Sequence, residues 1–227
     1  MARSKENHQR HSLAGKVIDI YRMCRKSGSS FLVVSLKYVF HRIFHGQALL
    51  LHQKVKLRGA GRIHAGGRLE VGINYNGISY RSDKTLLNIL GKLDVEESAS
   101  IGRGCRLDIG EFGSVSFGRD VVVNCNTTLI IMHHLEIGDQ CRIGWDCQFL
   151  DEDFHTLSYP GQKETAENII IGNRVWIGCG VKIYKGTVIP GGCVVASDSV
   201  VKGIYTKERA LIGGVPARVL KEDVDWS

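Results

Sequence analysis

Three side chains capable of acid–base chemistry stand close together in the string LDEDFH, at Asp151, Asp153 and His155. An imidazole exchanges a proton near neutral pH, so His155 has the chemistry of a general base. A carboxylate two or four residues away can fix the tautomer of the imidazole, as in a hydrolytic triad. The same string would also suit a surface histidine beside two aspartates that cap a turn. Position alone leaves both interpretations open.

These residues lie where a regular repeat is interrupted. An aliphatic residue recurs at every sixth position from Ile171 to Val201, and the position four residues further on is small or β-branched. A helix repeats at about 3.6 residues and a strand at 2, so a period of six indicates short strands that turn corners. Weaker runs of the same period reach upstream to about Leu57. The sequence therefore predicts an all-β solenoid of hexapeptide repeats, with roughly eight coils.

The repeat divides the chain into three parts. We expect the β-helix at 55–205, a basic helical extension at 1–54 and a C-terminal tail at 206–227. The polar segment 155–168 is too long to stay inside a coil, so it is predicted to project as a loop. Loops on a rigid scaffold often carry function.

The net charge is concentrated in the N-terminal extension. Residues 1–54 hold ten basic against two acidic side chains, a net charge of +8, whereas the remainder has 20 basic and 21 acidic side chains. Helices are predicted at 13–26 and 31–45. They either cap the open end of the solenoid or form an interfacial pair attracted to anionic lipid. The basic residues are not interleaved with aromatic side chains, so no nucleic-acid partner is expected.

The cysteines indicate a reducing compartment. There are seven, an odd number, and no C-x-x-C pair occurs. Four of them take the small inward position of the repeat, where a thiol packs as a small hydrophobe: Cys105, Cys141, Cys147 and Cys193. We expect buried, reduced thiols and a cytoplasmic protein, acting either in solution or at the inner face of the membrane.

Three motifs follow one another in the order DEDFH, VWIG and GVPAR. In that order, with a loop after the first, they resemble the hexapeptide-repeat acyltransferase superfamily. Within it they are most similar to sugar and capsular polysaccharide O-acetyltransferases, polysialic acid O-acetyltransferase among them. The resemblance covers about residues 89–222 and leaves the extension uncovered.

The resemblance implies a left-handed parallel β-helix, a homotrimer with sites between adjacent subunits, acetyl-CoA as the acyl donor and no metal. It implies that His155 removes the proton of an acceptor hydroxyl, which attacks the thioester, and then returns the proton to the leaving thiolate. Either aspartate could orient the imidazole. The phase of the six-residue repeat places Asp153 inward and so favours Asp151 as the residue that orients the imidazole. The resemblance instead favours Asp153, because the family's acid lies nearer to the histidine in sequence.

The resemblance also implies a coenzyme site. Trp176 matches a tryptophan that borders the CoA thiol and the acceptor, and its hexad phase places it outward, where it could equally be an interface residue. Small residues that would leave room for the pantetheine arm are Gly178, Gly180, Ala196 and Ser197. Cations that could meet the CoA phosphates, or simply be solvated surface charges, are Lys185, Lys202, Arg218 and Lys221.

The predicted function is therefore acetyl-CoA-dependent O-acetylation of a hydroxyl on a sugar, an oligosaccharide or a surface polysaccharide. A small acceptor (an amino sugar, serine or a drug) and a non-catalytic scaffold remain as alternatives. A zinc site of carbonic anhydrase type is not expected, because no histidine follows His155 and the adjacent His133 and His134 would point in different directions. Cys179 is not expected to act as a nucleophile, because no histidine lies near it in sequence. The string GAGRIHAGG reads better as a repeat corner than as a dinucleotide fingerprint.

Overall fold

The expected all-β solenoid is confirmed by a computed structural model of the chain. The structure describes residues 13–74, 78–80, 82–155, 158 and 167–227. The first twelve residues of the extension and most of the loop predicted at 155–168 lie outside this part of the chain. No helix among the described residues is long and apolar enough to cross a lipid bilayer.

Short strands form the solenoid. In chain order they are β1 (Ala48–Leu51), β2 (Val55–Arg58), β3 (Ile63–Ala65), β4 (Arg68–Val71), β5 (Thr85–Ile89), β6 (Lys92–Val95), β7 (Ala99–Ile101), β8 (Arg106–Ile109), β9 (Ser114–Phe117), β10 (Val121–Val123), β11 (Thr128–Ile131), β12 (His134–Ile137), β13 (Arg142–Ile143), β14 (Gln148–Leu150), β15 (Ile169–Ile171), β16 (Trp176–Ile177), β17 (Lys182–Tyr184), β18 (Val188–Ile189), β19 (Val194–Val195), β20 (Val200–Val201), β21 (Leu211–Gly214) and β22 (Ala217–Lys221).

Strands three apart in the chain pair in parallel, so three sheets run the length of the solenoid. Sheet 1 has the order β1-β4-β7-β10-β13-β16-β19-β21-β22, sheet 2 the order β2-β5-β8-β11-β14-β17-β20, and sheet 3 the order β18-β15-β12-β9-β6-β3. Three strands therefore close one coil. The exception to the parallel arrangement is the last pair, β21 and β22, which form an antiparallel hairpin.

The residues of the six-residue period form the core. Ile177 on β16 lies opposite Ile143 in the coil before it and Val195 in the coil after it, and all three side chains are buried. The small positions are buried as well, including the four predicted cysteines, which are free thiols. Burial raises the pKa of Cys105 and Cys147 to about 12, so these thiols are inert packing groups.

The solenoid is longer at both ends than the range 55–205. Strand β1 pairs with β4, seven residues before the expected start, and β21 continues sheet 1 by pairing with β19 inside the expected tail. The inward residues of β1 are Leu49 and Leu51, which are buried. One strand shows only the alternation of two, and a period of six becomes visible only when successive coils keep their phase. Leu51 stands six residues before Leu57, so the period continues one strand further upstream than the expected start.

The string GAGRIHAGG forms a corner of the first coil, as expected. Gly59 has φ +83° and lies so close to the next coil that an added Cβ would sit 1.9 Å from the carbonyl oxygen of Ile89. A single 3₁₀ turn, Ala60–Arg62, follows it. The glycine is required by backbone geometry and by the close approach of two coils.

Two helices precede the solenoid, α1 (Leu13–Ser27) and α2 (Phe31–Phe44), against the expected 13–26 and 31–45. Ser30 caps α2, since its hydroxyl accepts a hydrogen bond from the N–H of Val33. The helices pack on the first coils through a small apolar cluster of Cys24, Val34, Leu50 and Ile73.

Two cations fasten these helices to the solenoid. Lys37 of α2 donates through Nζ to the carbonyls of His52, Gln53 and Val55 at 3.1–3.2 Å. Arg103, buried in the solenoid, donates to the carbonyl of Ser27 at 2.7 Å, at the last residue of α1. Burial lowers the pKa of Lys37. The carbonyls at the end of α1 attract a positive charge because of the helix dipole.

This junction predicts a decline in stability at mildly acid pH. His52 is buried, and its burial together with the nearby charges of Arg103, Lys54 and Lys37 lowers its pKa to about 4. The neutral imidazole, whose Nδ1 accepts a hydrogen bond from the N–H of Lys54, therefore contributes stability above about pH 6.5 that is lost as the pH falls towards 4, up to about 3 kcal/mol.

The measurement is the free energy of unfolding in urea between pH 7 and pH 4.5. The variant His52→Asn keeps an acceptor and should show a shallower decline than the wild type. His64→Asn alters an exposed imidazole beside Asp94 and should follow the wild-type curve. A His52→Asn curve parallel to that of the wild type would show that this histidine does not set the acid limit.

Candidate functional site

His155 lies at the edge of the solenoid where sheet 2 meets sheet 3. It follows β14 by five residues and its side chain is exposed. The residue before it, Phe154, has φ +59° and is also exposed. A bulky residue in the left-handed region is strained by about 1–3 kcal/mol, and such strain persists only where neighbouring contacts hold the backbone.

Asp151 does not face outward, and the phase argument that favoured it is wrong. Its side chain is fully buried, and its two carboxylate oxygens accept the N–H groups of Met132 at 2.7 Å and His133 at 2.9 Å. The reason is the alternation along β14: Phe149 points inward, so Asp151 does too. Burial raises the pKa of Asp151, and the two backbone donors act against that shift.

Asp153 is the exposed aspartate. Its Oδ2 lies 2.9 Å from Nζ of Lys185, which follows β17 in the next coil. This hydrogen bond raises the pKa of Lys185. The pair places Lys185 beside the catalytic candidates.

Three further residues surround the loop ends and were not singled out as site residues from the sequence. His133, between β11 and β12, has Nε2 at 2.9 Å from Oε2 of Glu152 and Nδ1 at 3.0 Å from Oε2 of Glu167. The neighbouring His134 turns the other way, with Nδ1 at 2.8 Å from the hydroxyl of Ser114. The six-residue period contains no signal for these contacts, because they join different coils.

Trp176 begins β16 on sheet 1 and is 44% exposed, so its predicted outward direction is confirmed. A second indole, Trp226, lies beside it with ring centroids 6.2 Å apart. The Nε1–H of Trp226 donates to the carbonyl of Arg174 at 2.9 Å, which anchors the end of the chain there. The one sequence signal for Trp226 was that it is the single aromatic residue of the predicted tail 206–227.

The small residues proposed for the pantetheine arm stack at the edge between sheets 1 and 2. Gly178 is buried and Ser197, one coil later, is exposed. A Cβ added to Gly178 would lie 2.7 Å from the backbone nitrogen of Ser197, and one added to Gly180 would lie 2.2 Å from Oδ1 of Asp198. Stacking of one coil on the next therefore explains both glycines without a ligand.

Ala196 and Cys179 complete this edge. Ala196 is half-buried directly before Ser197, and the hydroxyl of Ser197 accepts the N–H of Cys179 at 3.2 Å. Cys179 is a free, half-buried thiol.

The structure separates the predicted residues into two groups. His155, Asp153, Lys185 and Lys202 lie along the edge between sheets 2 and 3, whereas the glycines, Ala196 and Ser197 line the edge between sheets 1 and 2. Trp176 lies on sheet 1, and the exposed Arg218 and Lys221 lie on β22 at the end of that sheet. The chain from Gly180 to Lys185 crosses sheet 2, and five residues of extended chain span about 16 Å, more than a side chain can bridge.

An open depression of about 690 Å³ lies along sheet 3, lined by carboxylates such as Asp94, Glu96, Glu136 and Asp139. None of the predicted site residues lines it. Among the described residues, no group of three or more His, Cys, Asp or Glu side chains has an arrangement that could hold a metal ion.

Comparisons with known proteins give the family. No family model matches the chain. A 24.8 kDa protein in the cps region of Klebsiella pneumoniae is 32% identical over 205 residues, which cover 89% of this chain and 92% of that protein. WbbJ of Escherichia coli K12, named as a lipopolysaccharide biosynthesis O-acetyl transferase, is 30% identical over 143 residues, which cover 58% of this chain and 72% of WbbJ.

Among solved structures, a hexapeptide-repeat acetyltransferase of Vibrio cholerae in complex with acetyl-CoA is 20% identical, with a TM-score of 0.37 over 95% of this chain and 92% of that one. The family rests on the sequence relatives. At 30% identity over 72% of WbbJ, and with a solenoid whose core follows a six-residue period, the chain belongs to the hexapeptide-repeat O-acetyltransferase family and is an acetyltransferase.

Proposed function

We propose that the protein transfers an acetyl group from acetyl-CoA to a hydroxyl of a sugar or polysaccharide, with His155 as the general base. The observation that carries this assignment is an exposed imidazole at the end of a strand, where rigid coils hold the backbone before it. The arrangement suits proton transfer, because the ring can reach an acceptor while its backbone stays fixed.

In the proposed reaction His155 takes the proton of the acceptor hydroxyl while the oxygen forms an ester bond to the acetyl carbon. The carbon–sulfur bond breaks, and the proton returns from His155 to the coenzyme sulfur. Asp153 is assigned the role of orienting the imidazole, because both oxygens of Asp151 are occupied by backbone donors. Lys185 holds the carboxylate of Asp153 in place through the 2.9 Å contact with its Oδ2.

A saccharide acceptor is favoured by the relatives, since WbbJ is named for lipopolysaccharide biosynthesis and another relative, 30% identical over 122 residues, is a galactoside O-acetyltransferase of Escherichia coli. The proposal is limited to the class of acceptor. Seven free cysteines are compatible with a reducing compartment, so we assign the enzyme to the cytoplasm.

We further propose a homotrimer whose active sites lie between protomers. The support is the separation of the predicted residues within one chain. His155 lies on the edge of the three-sided solenoid between sheets 2 and 3, whereas Trp176 and the small residues lie on the far side of sheet 2. A neighbouring protomer packed against the His155 edge would supply Trp176 and the coenzyme-binding edge. Cyclic packing of three prisms gives each site the same two halves.

The helical extension is proposed to contact an anionic lipid surface. The outer face of α2 is apolar over three turns, and its exposed members are Leu32, Leu36, Val39, Phe40 and Ile43. The charge of +8 on residues 1–54 complements an anionic bilayer and opposes the pairing of two such faces with each other. Contact of this kind would bring the enzyme close to lipid-linked or surface glycans.

His155→Ala should lower the rate of thiol release from acetyl-CoA in the presence of a sugar acceptor by at least about 10²-fold. The assay screens nucleotide sugars, oligosaccharides and capsular polymers with labelled acetyl-CoA. Two aspartate variants serve as matched controls. Asp153→Ala should lower the rate with the folded state intact. Asp151→Ala should lower the free energy of unfolding by about 2–3 kcal/mol, because two buried N–H groups lose their acceptor. Equal rates for wild type and His155→Ala would refute the mechanism.

Mixing two inactive variants tests the shared site. His155→Ala and Trp176→Ala impair opposite halves of it, so mixed trimers refolded together contain some sites with both halves intact. A random equal mixture should recover about a quarter of the wild-type rate, because each half is intact in half of the chains. No recovery above the separate variants would place both residues in one protomer's site.

Leu36→Asp and Ile43→Asp should each reduce co-sedimentation with phosphatidylglycerol vesicles by about 10-fold, since each removes an apolar side chain from the lipid interface. Phe112→Asp, at a 90% exposed position between β8 and β9, is the matched control and should bind like the wild type. Phosphatidylcholine vesicles should bind more weakly than the anionic ones. If Leu36→Asp instead lowers the molar mass in solution, the face joins copies of the chain and the lipid proposal is wrong.

A further inference from the structure

One imidazole contacts both ends of the segment that the sequence predicts to project. Glu152 lies three residues before His155, and Glu167 lies two residues before β15. His133 meets a carboxylate oxygen of each, at 2.9 Å and 3.0 Å, through its two ring nitrogens. It belongs to the preceding coil, whose backbone is held by β11 and β12. The two ends of the segment are therefore joined through a residue of the rigid solenoid.

The contact to Glu152 reaches the backbone of the catalytic candidate. The second oxygen of Glu152, Oε1, accepts the N–H of Asp153 at 2.7 Å and the N–H of Phe154 at 3.0 Å. These are the two residues directly before His155, and Phe154 has the strained φ of +59°. The carboxylate of Glu152 thus contacts His133 through one oxygen, and its other oxygen accepts hydrogen bonds from the turn that carries His155. The hydrogen bond from His133 lowers the pKa of Glu152, which keeps it an acceptor.

The neighbouring acids hold the same turn from other directions. Asp151 is bound to the backbone of the preceding coil at Met132 and His133. Asp153 is bound to Lys185 in the following coil. In the described part of the chain, Glu152 accepts the N–H groups of Asp153 and Phe154 within its own turn, and its link to another coil is the imidazole of His133. Loss of His133 would leave this carboxylate attached only to its own turn.

We propose that His133 is a positioning residue for the acetyl transfer. Through Glu152 and Glu167 it holds the two ends of the segment together and fixes the strained turn at Phe154, which sets the direction of His155. This inference rests on the proposed function of His155. His133 itself does not contact the reacting groups. Displacement of a catalytic base by about 1 Å lowers the rate by up to about 10²-fold. A residue that does not touch the substrate can therefore affect catalysis by fixing the position of the base.

The adjacent histidine provides a matched control. His134 has nearly the same exposure, 31% for its side chain against 29% for His133, and follows it directly. Its contacts are the hydroxyl of Ser114 and, at 3.9 Å, the carboxylate of Glu136, both away from the loop ends. Replacement of either histidine by alanine removes the same atoms from the same corner, and only one replacement breaks the connection to Glu152.

The experiment compares His133→Ala, His134→Ala and Glu167→Gln in the full-length protein. For His133→Ala we expect kcat to fall about 10- to 100-fold, with the KM for acetyl-CoA changed less than about twofold, because the small residues proposed for the pantetheine arm lie on another edge. Glu167→Gln keeps the imidazole and weakens one of its two contacts, so it should lower kcat by a smaller factor. His134→Ala should retain the wild-type kcat.

Hydrogen exchange supplies a readout that does not depend on activity. The amide protons of Asp153 and Phe154, which Glu152 accepts, should exchange at least about 10-fold faster in His133→Ala and at the wild-type rate in His134→Ala. Unchanged exchange in His133→Ala, or an equal loss of kcat in His134→Ala, would overturn the proposal. If His155→Ala is fully active while the exchange difference is present, the proposed base is wrong and the connection made by His133 stands.

Discussion

The stacking of one coil on the next is the constraint on which the rest of this protein depends. Each backbone group of a strand finds its partner in the coil before or after it, and each inward aliphatic side chain rests on its counterparts there. Coils in such a stack lie about 4.8 Å apart. That spacing leaves no room for a Cβ at certain corner positions, which is why Gly178 and Gly180 are explained by their neighbours without a ligand.

A rigid stack of this kind gives a fixed base to anything that leaves it. The chain departs after Leu150 and returns at Ile169, and the points of departure and return are held by side chains of three successive coils. Three consecutive acids contact three different groups. Asp151 binds the backbone of the preceding coil, Glu152 contacts the imidazole of His133, and Asp153 contacts Lys185 in the following coil. The strain at Phe154 is tolerated because these contacts hold it.

Two features of the same stack are exposed on the single chain. Its edges carry separate halves of the proposed site, and its first coil is covered by helices whose outer face is apolar. Two cations, the half-buried Lys37 and the buried Arg103, fasten those helices to the solenoid through backbone carbonyls. The apolar outer face of α2 is therefore held in a fixed orientation on the solenoid, and it presents a preformed surface.

The sequence by itself determined the solenoid, the approximate bounds of both helices, the buried cysteines and the outward Trp176. These follow from the local period and the composition, which can be read directly from the linear sequence. The hexad phase favoured Asp151 over Asp153 for an outward role, and the expected solenoid began after β1, because a period is weakly defined where a run of repeats starts or stops. The contacts of His133 with Glu152 and Glu167, of Asp153 with Lys185, and of Trp176 with Trp226 were decided by the tertiary structure alone. Each joins residues 19 to 50 positions apart along the chain, and only the stacking of coils determines which of them become neighbours.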